Sequence, residues 1–419
     1  MPSSHAHASL GRRSGRRLIT LATALALAAA SALVTLPAHA DPGVAPQAGA
    51  FTLRGAGFGH GRGMSQYGAY GAARQGLTWP RILSFYYPGT TQAKQGSGAT
   101  IKVWITADSD NDLRVMPSAG LRLRSGSRTY PLPAGRSYTA WRVTRSGAGF
   151  ALSYRSTANR WVRHAAPLPA TSTWWFENSA KLITVWARGG VRRELRGSVA
   201  LVKRGTGGRT VNHLSVEDYV RGVVPAEMPT SWAAHAVAAQ AVAARSYGVR
   251  LQAFSRASGY DVCDTTSCQV YRGYAAKVRS GPRTVYETRR GNDAVRATAR
   301  VILRYGNAVA LTEFGSSNGG STARSSLPYQ RAKLDPYDRL VSSNDYRRTI
   351  TAAGVARQWP SVGTVRQLKV TARSGPGRWG GRVQTLQIIG SKRTLTVSGS
   401  AFASRYGLRS SLYTFAATG

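Results

Sequence analysis

One stretch of this chain leaves little choice of conformation. Between Ser231 and about Phe254 there is no proline, Gly248 is the only glycine, and alanine dominates from Ala233 to Ala244. Alanine loses least on entering a helix, so the segment reads as one long helix with Ser231 as its cap. A shorter helical stretch starts near Val216 and is interrupted near Pro225 and Pro229. A second helix is expected through Ala294–Thr298. Elsewhere the apolar runs are short, β-branched and bounded by Gly, Ser and Pro, which is strand spacing. Ile101–Ile105 and Leu182–Trp186 are the clearest, and 309–314, 367–372, 384–389 and 395–398 repeat the pattern near the end. The expected class is α+β: an Ala-rich central helix packed on mixed or antiparallel strands, with a β-rich accessory layer. No internal repeat is visible.

Charge narrows the partners. Lys and Arg total 57 of the 419 residues against 17 Asp and Glu, a formal net charge of +40, and only 8 of the 57 are Lys. Hydrophobic residues make up 42%, too many for a disordered polyelectrolyte. A folded, basic protein of this kind attracts polyanions in a salt-sensitive way. An Arg excess this large also fits codon bias in a GC-rich genome.

The first forty residues give an address. Arg12, Arg13, Arg16 and Arg17 precede an uncharged, largely apolar run from Leu18 to Leu36, and Ala38-His39-Ala40 forms a small-x-small cleavage pattern. Residues 1–40 therefore read as a signal peptide, with an N-terminal membrane anchor as the alternative. Arg16-Arg17 leaves general and twin-arginine export equally open. No other apolar run reaches membrane-spanning length, so a secreted, soluble product at the cell wall is expected. Export points away from nucleic acid and toward anionic wall polymers. In an oxidising compartment Cys263 and Cys268, the two cysteines present, favour a disulfide; two thiolates alone cannot complete a zinc site.

After a linker at 41–50, residues 51–95 are rich in Gly and aromatics, 100–194 form the β-rich accessory region, and the texture changes again toward 195–415. Few carboxylates are available for chemistry. Asp108, Asp110 and Asp112 share one polar turn and Glu194 lies among arginines, so these are expected to be solvated. Glu227 instead sits in Val223-Val224-Pro225-Ala226-Glu227-Met228-Pro229. A carboxyl held among apolar groups has its pKa raised, which suits a general acid. A bland alternative is an acid attracted to the positive end of the following helix, which would lower the pKa. His213 and His235 have no evident metal partners.

Several segments carry a family resemblance. Val216-Glu217-Asp218-Tyr219-Val220-Arg221-Gly222-Val223-Val224-Pro225-Ala226-Glu227-Met228-Pro229, followed by Ala239-Gln240-Ala241-Val242-Ala243-Ala244-Arg245-Ser246-Tyr247, resembles the signature of the SpoIID/LytB family of cell-wall proteins. The Cys263–Tyr271 segment, Ser316-Ser317-Asn318-Gly319-Gly320-Ser321-Thr322, Asp335-Pro336-Tyr337-Asp338 and Gly407-Leu408-Arg409-Ser410 match further segments in the same order. The resemblance covers roughly 195–415. Gly57–Gly68 resembles the family's GxGxGHGxGMSQxGA motif and continues to Tyr86-Tyr87-Pro88-Gly89-Thr90, but here it precedes the core, as in a circular permutation. It is expected to pack back on the core.

The resemblance implies peptidoglycan as substrate and lytic transglycosylation of glycan strands as the reaction. The family's catalytic glutamate falls on Glu227 and its functional arginine on Arg245, for which a structural ion pair is the alternative. A lytic transglycosylase works with one acid/base because the sugar's own C6 hydroxyl attacks, whereas hydrolysis needs a second carboxylate. His60, Gln66, Gln269, Tyr271, Ser317 and Asn318 are candidates for glycan contact. Some relatives carry a histidine beside the cysteine pair, but no His lies between Tyr260 and Tyr271, so no zinc or other cofactor is expected. Two rival readings remain: a non-catalytic glycan binder that enhances an amidase autolysin, and a purely electrostatic wall-polymer binder.

Overall fold

The computed structural model describes residues 40–416, apart from 170–171, 181, 206, 255–258 and 341–343. The leader expected over 1–40 falls, except for Ala40, outside the described residues. Within them the helices are α1 Gln66–Arg74, α2 Trp79–Tyr86, α3 Val216–Glu227, α4 Ala234–Gln252, α5 Arg289–Ala297, α6 Ala352–Gln358 and α7 Gly399–Arg405. Strands outweigh them, so the α+β chain is strand-rich.

Two large sheets face each other. An eight-stranded antiparallel sheet runs Trp161–His164, Gly149–Arg155, Ala140–Ser146, Asp112–Val115, Leu182–Ala187, Val191–Arg196, Ala275–Val278 and Arg283–Val285. A seven-stranded sheet runs Val262–Cys263, Thr100–Trp104, Gly207–Ser215, Ser198–Arg204, Trp175–Asn178, Leu121–Ser125 and Arg128–Pro131. Its one parallel pair joins Val262–Cys263 to Thr100–Trp104. Alternation along the strands sends one face inward: Ile183, Val185 and Ala187 are buried while Thr184 and Trp186 are only partly covered. Strands from 100–194 and from 195–285 share both sheets, and the strand Val191–Arg196 runs through residues 194 and 195.

The helix α4 lies against α1, α2, α3, α5 and the strand Val301–Tyr305. Its small side chains, Ala236, Ala238, Ala239, Ala241, Ala243 and Ala244, are all buried, which lets so many elements approach one axis. The helix starts at Ala234, not Ser231, and Ala233 gives no side-chain cap. Residues 229–232 instead close a turn, Trp232 N–H donating to Pro229, which lets Trp232 stack on Tyr70 with ring centroids 4.6 Å apart. It ends at Gln252, two residues short of the expected Phe254. The helix α3 also departs from expectation, running through Pro225 to Glu227. There proline forfeits a single backbone bond near the helix end, where the remaining packing holds the turn.

A second core lies apart from the sandwich. Phe51 and Leu53 join Ile350, Leu368, Val370, Leu386, Ile388, Phe402, Tyr413 and Phe415. Here Ala50–Gly55 is the middle strand, antiparallel to Tyr346–Thr351 on one side and Tyr413–Phe415 on the other. Immediately after it the Gly-rich segment enters the first core: Met64–Ser65 pairs in parallel with Phe314–Gly315.

Two buried aspartates clamp that entry. Asp338 accepts from the Ser65 hydroxyl, from Ser317 Oγ at 2.8 Å and from the Asn318 and Gly319 N–H groups at 3.2 and 2.9 Å. Asp335 accepts from Tyr86 Oη and Asn318 Nδ2, both at 2.7 Å. Ser65 also caps α1 by accepting from Gly68 N–H at 3.0 Å. The turn expected to be solvated is buried instead: Asp108 is 2% exposed and accepts from Thr210 Oγ1 at 2.7 Å, while Asp112 binds Arg114. Burial pushes the Asp108 carboxyl up to about 7. Glu194 is likewise not free, pairing with Arg283 from the strand beyond Ala275–Val278.

Replacing Asp338 by Ala strands three or more buried donors and is expected to cost about 3 kcal/mol or more. Ser65→Ala, which loses a cap and one clamp bond, should cost about 1–2 kcal/mol. Urea denaturation midpoints of the two variants check the order and size of these losses.

Candidate functional site

Ser215 starts α3 by accepting from Asp218 N–H at 3.0 Å, and the helix delivers Glu227 as its last residue. Glu227 therefore stands at the carbonyl end of a helix and not at the amide end of α4, which begins seven residues later. That corrects the bland reading of the sequence, because a helix C-terminus disfavours a negative charge. Burial pushes the Glu227 carboxyl above its ordinary value, partly opposed by the Val270 N–H and the Arg272 guanidinium. Val270 N–H donates to Glu227 Oε1 at 2.7 Å.

The loop that brings Val270 is held from behind. Cys263 and Cys268 form a disulfide. Between them Asp264 accepts from Thr106 N–H and Oγ1 at 3.0 and 2.7 Å and pairs with Arg193 at 2.7 Å. The donor to the acid is thus fixed by a covalent link and a charge pair anchored on the sandwich.

Arg245 does not join Glu227 in this arrangement. It is fully buried, donating to both oxygens of Glu217 at 2.8 and 2.9 Å and to the Val301 carbonyl at 3.1 Å. It ties α4 to the start of α3, which is the structural ion pair weighed from sequence. The proline-bounded turn at 228–233 separates the two helices, so helical spacing from 227 to 245 never applies.

Five glycan-contact candidates are also committed elsewhere. Gln269 is 1% exposed and accepts from Tyr219 Oη at 2.8 Å, while Tyr271 Oη donates to Asn212 at 2.9 Å. Ser317 and Asn318 belong to the aspartate clamp. Gln66 is buried and donates to Gln240 Oε1 at 3.4 Å. Their sequence neighbourhoods looked like polar loops; burial turns these side chains inward, where most of their polar groups find partners, although Gln269 Nε2 has none.

His60 is the exception, on the surface of the Gly-rich loop. Its Nδ1 accepts from Arg62 N–H at 3.0 Å, so the neutral ring carries its proton on Nε2 and presents a donor outward. Loss of hydration among its neighbours and then the Arg62 cation lower His60 to about 4, so it is uncharged at neutral pH. Tight chain approach explains the glycines beside it. A Cβ on Gly61 would fall 2.2 Å from Arg382 Nη2, and one on Gly63 1.9 Å from the Glu313 carbonyl, both at positive φ.

Around His60 lie further groups the sequence reading did not single out. Arg62 forms a bidentate pair with Glu313, at 2.6, 3.0 and 3.1 Å. Burial opposes ionisation of Glu313, but the Arg62 bonds and charge outweigh it and hold that carboxyl below its ordinary value. Tyr247, two residues after Arg245, packs its ring on Phe314 at 6.4 Å. Burial raises its hydroxyl pKa, and Glu313 and Glu227 both add to the rise. Tyr247 thus lies within electrostatic reach of both carboxylates. Arg62 was visible in the Gly-rich motif, but nothing local marks Glu313, 251 residues away, as its partner.

The helices α3 and α4 and the disulfide loop fall within a region that matches known proteins. Residues 204–305 match the family model described as Stage II sporulation protein. The chain is 34% identical to Stage II sporulation protein D of Bacillus subtilis over 160 residues, covering 35% of this chain and 46% of that protein. It is 31% identical to Stage II sporulation protein D of Bacillus amyloliquefaciens, covering 49% and 61%. A third relative, the Amidase enhancer of Bacillus subtilis, is 38% identical over 29% of this chain and 16% of its own length. The chain thus spans about half the length of the two sporulation proteins. The helix that carries Glu227 and the helix that carries Arg245 both lie inside the region that matches the Stage II sporulation protein family model.

Proposed function

We propose that the protein is exported and acts on peptidoglycan, as a lytic transglycosylase that cleaves glycan strands with Glu227 as the single acid/base. The observation that carries this reading is the setting of Glu227: a helix C-terminus, burial that favours the protonated form, and one backbone donor to orient it. Glu227 first gives its proton to the glycosidic oxygen. The C6 hydroxyl of the same sugar then attacks the anomeric carbon, and the carboxylate takes the hydroxyl proton. A neutral His60 offers an Nε2–H donor to the glycan. Export rests on the leader read in residues 1–40, and wall location on that leader together with the +40 charge.

A second reading is favoured by the similarity to a protein named Amidase enhancer. On that reading the site binds glycan without cutting it and stimulates a separate amidase. The two part on products. The purified protein, incubated with glycan strands with and without stem peptides, is expected to generate 1,6-anhydromuramic acid ends detectable by mass spectrometry. Reducing ends would indicate hydrolysis, and salt-resistant binding without cleavage would favour the enhancer.

Glu227→Gln should lower turnover by about 10²–10⁴-fold while leaving glycan binding in place. Because the acid form is required in the free enzyme, kcat/KM should fall as pH rises through the elevated pKa of Glu227. Arg272 favours the ionised form, so Arg272→Gln should move that falling limb to higher pH, read from a pH–rate profile.

A further inference from the structure

We propose that the outer face of the sheet formed by Tyr346–Thr351, Ala50–Gly55 and Tyr413–Phe415 is a docking surface for a linear wall polymer of polyol and phosphodiester units. The inference rests on the reading that the protein reaches the cell wall, and on nothing in the chemistry of Glu227.

The observation starts in the sequence. Residues 346–419 contain twelve Arg and Lys and no Asp or Glu. Asp41 brings one carboxylate to this core, its N–H donating to the Val370 carbonyl, and that carboxylate is taken by the buried Arg373. Arg378 reaches Asp345, just before the acid-free segment. The other arginines of this core have no acid of their own to meet. The sandwich differs, since many of its arginines are paired: Arg193 with Asp264, Arg196 with Glu287 and Arg283 with Glu194.

Two unpaired arginines are set directly against each other. The register places Arg54 opposite Arg347 on neighbouring antiparallel strands, with Thr52 opposite Thr349 two positions along. Opposed residues share a face with their Cβ atoms about 5 Å apart, and like charges there oppose folding. Phe51 and Leu53 fill the core, so the alternate residues face outward, and Arg54, Arg347 and Thr349 are exposed. Arg348 is exposed on the same edge strand. Among the described residues none of Arg54, Arg347 and Arg348 is paired with a carboxylate. Their counter-charge must come from outside the chain. A polyanion supplies it while releasing its own small counterions, which favours binding. Guanidinium forks match phosphate oxygens, and the Thr52 and Thr349 hydroxyls add donors beside them.

The face also selects among polyanions. Its remaining positions are Ala50, Thr351 and Thr414, so it offers no ring on which a single-stranded base would stack. None of the large apolar side chains exposed among the described residues falls within 50–55 or 346–416, so nothing here enters a bilayer. A phosphodiester chain without bases or acyl tails fits what is left, and at the wall that is a polyol phosphate.

The test measures binding of the mature chain, residues 41–419, to purified glycerol-phosphate teichoic acid. Wild type is compared with R54Q/R347Q and with R128Q/R163Q, which removes the same charge from exposed arginines on edge strands of the two sandwich sheets. All six positions compared are read alongside melting temperatures, and exposed substitutions of this kind keep the fold. In about 0.1 M salt R54Q/R347Q should weaken binding about tenfold or more and make the fall of log K with log salt shallower by about 1.5. The sandwich variant should stay within about threefold of wild type, because it leaves the facing arginines in place. Equal weakening by both double variants would overturn the proposal and leave the +40 charge acting diffusely. Affinity for duplex DNA or for phosphatidylglycerol vesicles as high as for the polymer would overturn it too. A wild type that cleaves glycan yet does not bind the polymer sinks this proposal alone. A protein that stays inside the cell, read by fractionation, sinks the wall reading on which it rests.

Discussion

The aspartate clamp at 335–338 is the constraint on which the site depends. A Gly-rich loop has high conformational entropy and few side chains with which to offset it. Here the cost is met by buried, charge-assisted bonds: Asp338 gathers Ser65, Ser317 and two backbone amides, and Asp335 gathers Tyr86 and Asn318. Because these donors come from both ends of the first core, the clamp forms only when the whole chain has assembled. It sets Met64 beside Phe314, and that register places Arg62 within bonding distance of Glu313. Few acids serve a chain this basic, and those it has are concentrated where segments distant in sequence must be joined.

The same economy shapes the electrostatics of the site. Arg245–Glu217 is a buried pair that fixes the crossing of α3 and α4, and its charge is spent on Glu217 and main-chain carbonyls. Glu227 has no such bonded cation, so burial governs it and it favours its proton. Glu313 has Arg62 and favours its charge. Opposite tendencies in two carboxyls near one tyrosine follow from which arginine each can reach. The disulfide-closed loop adds a directional bond through Val270, orienting the acid without supplying a charge.

The readable parts of the site were those set by nearest neighbours. Glu227 stood out because its apolar flanks are contiguous in sequence and the same flanks bury it in the fold. The Cys263–Cys268 link was readable because a five-residue separation needs no long-range folding to close. Ser317, Asn318, Gln269 and Tyr271 looked like loop residues free to meet a ligand, and nothing in their own segments shows that they face inward. The Asp108–Asp112 turn misled partly for the same reason: its alternating acids look solvated until Thr210, from a distant strand, covers Asp108, while Arg114 pairs with Asp112 from two residues along its own strand.

Sequence alone determined the helical character of α4, the α+β class, the short strands and the apolar setting of Glu227, because each depends on the residues within a short stretch of chain. Tertiary structure alone decided that strands from 100–194 and 195–285 share two sheets, that Ala50–Gly55 completes the C-terminal core, and that Arg62 meets Glu313 while Arg245 meets Glu217. Those pairings join residues 28 to 251 positions apart or more, and a charged side chain selects among distant partners only once packing has fixed which of them is near and how much water remains between them.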